Sequence, residues 1–90
     1  MPDEKLVRAV RSRVRREILH ILCEEKKASV HGIAERMKIT ESSASKHLKL
    51  LYDLGFIGFE EKPPEKIYSL KIKEMRDFLA VYNKVVEKMR

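Results

Sequence analysis

The first 25 residues carry apolar side chains every three or four positions, which is the spacing of one buried face of an α-helix. These apolar positions are Leu6, Val7, Val10, Val14, Ile18, Ile21 and Leu22. Ser12 can break this run. We therefore expect a first helix that Asp3 caps at its start and a second helix over residues 13–25. The apolar pattern fades at the charged residues 24–27, which predict a polar turn at the end of the second helix.

Two further helices are predicted between residues 30 and 55. The shorter one should turn four apolar side chains inward, namely Val30, Ile33, Ala34 and Met37. For the longer one, Thr40 is a suitable N-cap and Glu41 suits the positive end of the helix dipole. Its inner side is predicted to comprise Ala44, His47, Leu48, Leu51 and Leu54. Gly55 should end this helix in a left-handed conformation.

After Gly55 the pattern changes to two short runs of β-branched and aromatic residues, at 56–61 and 66–71. Pro63 and Pro64 lie between them and cannot continue a ladder of hydrogen bonds, so we expect a β-hairpin. Residues 72–90 return to helical spacing. The order of elements predicts a mainly α fold with a small β-hairpin (α+β), in which a helix-turn-helix precedes the hairpin.

The longer helix of this pair presents a polar surface of Ser42, Ser43, Ser45, Lys46 and Lys49. Short hydroxyl side chains let a helix approach the major groove of DNA closely, and lysines bind phosphates or guanine edges. The alternative is an amphipathic core helix whose polar side is simply solvated. The net charge of +6 also suits a polyanion. The arginines at positions 8, 11, 13, 15 and 16 crowd the first helices, although they could equally form a solvated surface.

The run from Ser29 to Ile57 resembles the helix-turn-helix of ArsR-type winged-helix regulators, with its small-residue turn, its Ser-rich helix start and its His47-Leu48-Lys49 stretch before a glycine. The Arg-rich opening of residues 13–19 is similar to the second helix of that family. The resemblance implies one winged helix-turn-helix domain over residues 1–90. Within it, residues 1–25 form N-terminal helices, 30–55 the helix-turn-helix, 56–71 the wing and 72–90 a dimerisation helix.

The resemblance also implies which residues bind DNA. The recognition helix would use Thr40, Ser42, Ser43, Ser45, Lys46 and Lys49, and the wing tip would use Lys62 and Lys66. Glu41 departs from this expectation, because phosphates repel a carboxylate. It must face away or accept a hydrogen bond from a cytosine amino group.

In the family, the first and last helices pair across a two-fold axis. The apolar side chains between positions 72 and 90 of this sequence recur at nearly heptad spacing. The resemblance thus implies a homodimer interface of Leu6, Val7, Val10, Met75, Phe78, Leu79, Tyr82, Val86 and Met89. A symmetric dimer favours a palindromic operator on double-stranded DNA. The alternative is that the last helix completes a monomeric core.

The metal-site motifs that are usual in the family are missing. No cysteine lies near residues 30–33, and the last helix has no histidine. We therefore expect no metal and no cofactor. A soft-metal site of His20, Cys23 and His31, or a redox role for Cys23, stays open as a minor alternative. The sequence identifies no small-molecule effector.

The expected function is that of a sequence-specific transcriptional regulator, acting as a dimeric repressor. No nucleophile with an evident base and no phosphate-binding loop is present, so we do not expect an enzyme. The alternatives are a protein-interaction module of a transcription or replication assembly and a non-specific architectural DNA binder. Without an apolar run of about 20 residues or the apolar core of a signal peptide, we expect a cytoplasmic protein that does not meet the membrane.

Overall fold

A computed structural model describes residues 2–90 and shows five helices and a three-stranded antiparallel sheet in that range. The elements are α1 (Pro2–Arg11), α2 (Arg13–Glu25), β1 (Ala28–Ser29), α3 (Val30–Met37), α4 (Glu41–Asp53), β2 (Ile57–Lys62), β3 (Glu65–Leu70) and α5 (Met75–Lys88). The predicted order of helices and hairpin is thereby confirmed. The prediction of a domain over residues 1–90 begins at Met1, which lies outside the described residues.

Hydroxyl side chains cap the starts of three helices, with Ser12 before α2, Ser29 before α3 and Thr40 before α4. The Oγ of Ser12 accepts a hydrogen bond from Arg15 N at 3.3 Å, and the Oγ1 of Thr40 accepts one from Ser43 N at 3.0 Å. Each bond satisfies a backbone N–H that the first turn of a helix leaves without a partner. The break at Ser12 and the cap at Thr40 are therefore confirmed. The prediction for Asp3 is wrong, because α1 already includes Pro2 and Asp3 lies within its first turn.

The sheet contains one strand that the sequence pattern did not predict. β3 pairs with β2 over the whole hairpin and, on its other edge, with the two residues of β1, giving the order β1-β3-β2. Two residues are too few to show the alternation that identifies a strand. The hairpin strands are also displaced by one residue from their predicted positions, and α5 begins at Met75 rather than at residue 72.

The core is formed where α2, α3 and α4 meet the start of the hairpin and the first half of α5. Its most completely buried large side chains are Ile18, Leu19, Leu22, Ile33, Leu48, Leu51 and Ile57. No polar or charged residue within 2–90 is buried in this core. Such a core fixes the helix pair α3–α4 to α2, so that the outer face of α4 has a defined orientation.

Candidate nucleic-acid interface

The inner face of α4 is anchored and its outer face is free. Ala44, Leu48 and Leu51 have no solvent exposure. On the other side, four of the predicted DNA-binding side chains are exposed and Ser43 is half-buried. The exposed ones are Ser42, Ser45, Lys46 and Lys49. This helix is therefore a rigid support for a polar surface, which is what entry into a major groove requires.

The predicted contact residues of α4 differ in how free they are. Thr40 is exposed, but its hydroxyl is already engaged in the helix cap. Lys49 reaches Asp53 one turn later, with Nζ 3.1 Å from Oδ2. Lys46 has no ion pair within residues 2–90. Since an exposed pair such as Lys49–Asp53 is weak, both lysines are available to a phosphate, Lys46 more readily.

Glu41, the residue at odds with DNA binding, is paired with a histidine. Its Oε2 lies 3.0 Å from His31 Nδ1, and the other ring nitrogen of His31 lies 3.0 Å from Glu35 Oε2. The hydrogen bond and the charge of Glu41, followed by the charge of Glu35, raise the pKa of His31 above its ordinary value. In its protonated form the ring donates to both carboxylates. Glu41 thus faces α3, one of the two solutions that the sequence left open.

Arg15 connects the first two helices to α4, a role that sequence reasoning missed. Its Nε and Nη2 donate to the backbone oxygen of Arg8 at 3.0 and 2.7 Å, while Nη1 lies 3.3 Å from His47 Nδ1. Burial and then the positive charge of Arg15 lower the pKa of His47, which favours the neutral ring whose Nδ1 can accept this bond. Partial burial, and then the charges of Arg11 and Arg8, lower the pKa of Arg15. Arg15 therefore places a positive charge beside the middle of α4, and Arg8 and Arg11 lie near Arg15.

The wing is fixed to α4 by aromatic contacts. The ring of Phe59 lies 5.1 Å from that of Tyr52 in α4 and 5.5 Å from that of Tyr68, centroid to centroid. Such tilted aromatic pairs add to the stabilisation from burial alone. The hairpin is thereby held at a fixed position relative to α4.

The two lysines of the wing tip do not lie together. Lys62 pairs with Glu65, and Lys66 pairs with Glu61. Partners in a ladder share a face and successive residues alternate, so Lys62 and Lys66 lie on opposite faces of the hairpin. Lys66 also holds its Nζ 4.7 Å from the centre of the Phe59 ring, in a cation–π contact. Lys62, exposed on the other face, has more freedom to reach a phosphate.

The residues predicted for the dimer interface divide into two groups. Met75 and Leu79 are 4% and 3% exposed and belong to the core of this chain, so they have almost no surface left for a partner. The remaining members, which are half-buried or exposed, are Leu6, Val7, Val10, Phe78, Tyr82, Val86 and Met89. The predicted interface does not include Val81 and Val85, which are 60% and 50% exposed. Val85 lies on the nearly heptad pattern of α5, where spacing alone could not separate it from Val86, whereas Val81 lies off that pattern.

The structure does not bring together the residues of the minor alternative, a metal site of His20, Cys23 and His31. His20 Nε2 lies 3.4 Å from Glu24 Oε2, while His31 contacts Glu35 and Glu41. Within residues 2–90, no three or more histidine, cysteine or carboxylate side chains are placed to hold a metal ion. Cys23 is half-buried, and burial raises the pKa of its thiol, which disfavours the reactive thiolate.

Comparison with known proteins identifies the family. The profile described as bacterial regulatory protein, arsR family, matches residues 12–58, just over half of the chain. The chain belongs to the ArsR family. An arsenical resistance operon repressor of Bacillus subtilis (strain 168) is 32% identical over 77 residues, which cover 86% of this chain and 73% of that protein. This ArsR-family chain is a transcriptional regulator.

Solved structures confirm the winged helix-turn-helix fold. The homodimeric winged helix-turn-helix DNA-binding domain of a possible ArsR-family regulator from Mycobacterium bovis matches with a TM-score of 0.82 at 18% identity. The match covers 97% of this chain and 80% of that one. The transcriptional repressor PagR of Bacillus anthracis matches with a TM-score of 0.78 at 20% identity, over 90% of this chain and 92% of that one.

In residues 2–90 of this ArsR-family chain, no helix has the length and apolarity needed to cross a membrane.

Proposed function

We propose that this chain represses transcription as a homodimer that places two copies of α4 in successive major grooves of a palindromic operator. The observation that carries the proposal is the contrast between the two sides of α4, one fully buried and the other polar, exposed and cationic. A helix held in this way loses little conformational freedom on binding. The protein acts by occupying its DNA site, without a chemical step, in the cytoplasm.

The charges around α4 support contact with the DNA backbone. Lys46 and Lys49 lie on α4 itself, and Arg15 borders it through the contact with His47, with Arg8 and Arg11 close to Arg15. The pairing with His31 holds the Glu41 carboxylate towards α3, and the protonated ring offsets its charge at the start of the helix. Neutralised phosphates release counterions, so each such contact makes the affinity more dependent on salt.

The proposed dimer uses the exposed apolar side of α5 together with α1. Val7, Val81, Val85 and Met89 are between 50% and 80% exposed, and a helix face of this kind is typical of an interaction site. A second copy is the occupant we propose, because the matched domain from Mycobacterium bovis is itself described as homodimeric. Symmetry would then set the two α4 helices about 34–36 Å apart, one turn of DNA.

The test is a fluorescence-anisotropy titration of the DNA upstream of the protein's own reading frame, at two or more salt concentrations. We expect tighter binding than to a scrambled duplex of equal length, with two chains at saturation. Lys46→Ala should weaken binding and reduce the slope of log K against log[salt] by about 0.9 for each lost phosphate contact in each protomer. The matched control is Lys84→Ala, an exposed lysine of α5 away from the proposed surface.

Three results would contradict the proposal. Equal binding to both duplexes would indicate an architectural DNA binder. An unchanged salt slope in Lys46→Ala would indicate that α4 does not lie against the DNA phosphates. Failure to bind any duplex would favour a module that docks on protein.

A further inference from the structure

A cleft of about 500 Å³ lies between α2, the end of α3 and α5. None of its lining residues belongs to α4 or to the wing, so it is separate from the proposed DNA surface. Its volume falls in the range of pockets that bind small molecules. Ile21 and Leu79 form part of its apolar floor and are themselves almost completely buried.

Positive charge dominates the wall of this cleft. Four arginines line it, at positions 13, 16, 36 and 90, against one carboxylate, Glu17. Arg36 is committed to Glu24 and Glu25. Arg13 reaches Glu17 at 3.3 Å and Arg90 reaches Glu87 at 3.7 Å, in pairs whose side chains are at least half exposed.

Those exposed pairs leave most of the binding capacity of the arginines unused. A guanidinium has five N–H donors, and an ion pair at the surface is weak enough to be exchanged for another anion. Arg16 is placed differently from the rest: its Nη1 donates to the backbone oxygen of Val10, and its guanidinium carbon lies 5.1 Å from the centre of the Tyr82 ring. The aromatic ring orients this cation at the edge of the apolar floor.

We propose that the cleft binds a small organic carboxylate with an apolar body. The carboxylate would pair with Arg13, Arg16 and Arg90, because the planar guanidinium matches a carboxylate in two parallel hydrogen bonds. The apolar body would cover Met37, Val86 and the ring of Tyr82, which line the cleft and are only half-buried. A bare inorganic anion would leave this floor wet, and an uncharged hydrocarbon would leave the arginines without a ligand.

The position of the cleft gives such a ligand a regulatory role, which rests on the proposed function. Arg36 and Met37 line it from α3, the first helix of the helix-turn-helix, while α5 lines it from the other side. A ligand bridging α3 and α5 would bias the orientation of the DNA-binding helices relative to the dimer, and binding at the two sites would be coupled reciprocally.

The cleft borders the proposed dimer face along α5, because Tyr82 and Val86 line the cleft and also belong to the predicted interface. Taking 100° per residue, Val81 and Val85 lie about 160° and 120° around α5 from Leu79, which points into the cleft floor. These two most outward residues of the proposed dimer face therefore point away from the cleft floor, so a partner on them leaves the floor open.

The experiment is an NMR titration of the full chain, without DNA, using 2-naphthoate as the probe. We expect shifts confined to the cleft residues of α2 and α5 and one ligand per chain. The double variant Arg13→Gln/Arg90→Gln should bind about tenfold more weakly. Arg11→Gln, an exposed arginine of α1 outside the cleft, is the matched control and should bind as the unaltered chain does.

Two partial probes separate the components of the site. If 2-naphthalenemethanol or acetate binds as tightly as 2-naphthoate, the proposal is overturned, because only an apolar patch or only a cationic surface is then involved. Shifts centred on Leu6 and Phe78 instead of the cleft, or no binding up to about 10 mM, also overturn it. The ligand titration is made without DNA, so its outcome does not depend on whether the chain binds DNA. An operator affinity that is unchanged by saturating 2-naphthoate would overturn the regulatory role alone.

Discussion

His31 is the residue whose chemistry is most closely tied to the start of the recognition helix. It links Glu35 of α3 to Glu41 of α4 through two 3.0 Å contacts, and the ring is exposed. Because its pKa is raised in the folded protein, the stabilisation from these contacts is fully present below about pH 6.5. It is lost as the pH rises through the raised pKa. Within this window the imidazolium also offsets the charge of Glu41.

We predict that Glu41→Gln lowers the pKa of His31 towards its ordinary value, because the hydrogen bond and charge of Glu41 are the largest causes of the raised pKa. The measurement is an NMR titration of the histidine ring protons. Glu35→Gln should lower the pKa of His31 less. The titration of His47, which responds to burial and Arg15, is the internal control and should not move.

We also predict that the His31–Glu41 pair makes DNA binding depend on pH. With His31 protonated, less negative charge faces the phosphates, so affinity for the operator should be higher at pH 6 than at pH 8. In His31→Gln this difference should shrink, because the group that titrates is gone. A pH dependence that survives unchanged in His31→Gln would assign the effect to another group.

The end of α4 depends on backbone conformation. Gly55 has a backbone φ of +91°, which L-residues with a side chain rarely adopt. A Cβ at this position would meet no atom within 4 Å. Its role is therefore conformational and not a matter of space. Lys26 and Lys38 have φ of 68° and 57°, and each likewise lies just after a helix, α2 or α3.

We predict that Gly55→Ala lowers the free energy of unfolding by about 1–2 kcal/mol, the cost of forcing an L-residue into the left-handed region. Gly58→Ala is the matched control. A Cβ at Gly58 also meets nothing within 4 Å, but its φ lies outside that region. Its stability should stay within about 1 kcal/mol of the unaltered chain. Urea denaturation measures both, and equal effects would refute the conformational explanation.

Across the whole molecule, α5 serves two surfaces at once. Met75 and Leu79 pack into the chain's own core, while Val81, Val85 and Met89 remain exposed on another side. The domain is small, with a Cα radius of gyration of 12.9 Å, so a second copy on α5 would bury apolar area that one chain cannot cover.

We predict that Val85→Glu weakens self-association at least about tenfold, because a carboxylate without a partner would enter the proposed interface. Sedimentation velocity over a range of concentrations is the measurement. Ala80→Glu introduces the same charge at an exposed position about 140° around α5 from Val85 and should leave the dimer intact. A monomeric unaltered chain, or equal disruption by both substitutions, would rule out this interface.

The sequence by itself determined the features that depend on local spacing and local chemistry. Apolar periodicity located α2, α3 and α4, the hydroxyls of Ser12 and Thr40 marked helix starts, and Gly55 marked a helix end. These features follow from interactions within a few residues along the chain. The family resemblance of residues 29–57 is of the same kind, because the residues that carry it are contiguous in the chain.

Tertiary structure decided whatever depends on residues that are distant in sequence. Only the fold brings Arg15 to His47, pairs Glu41 with His31 and adds β1 to the edge of β3. It also decided which apolar residues of α5 enter the core and which stay exposed, because one helical period serves both faces. The cleft among α2, α3 and α5 has no trace in the sequence pattern, since its wall is assembled from three separate segments.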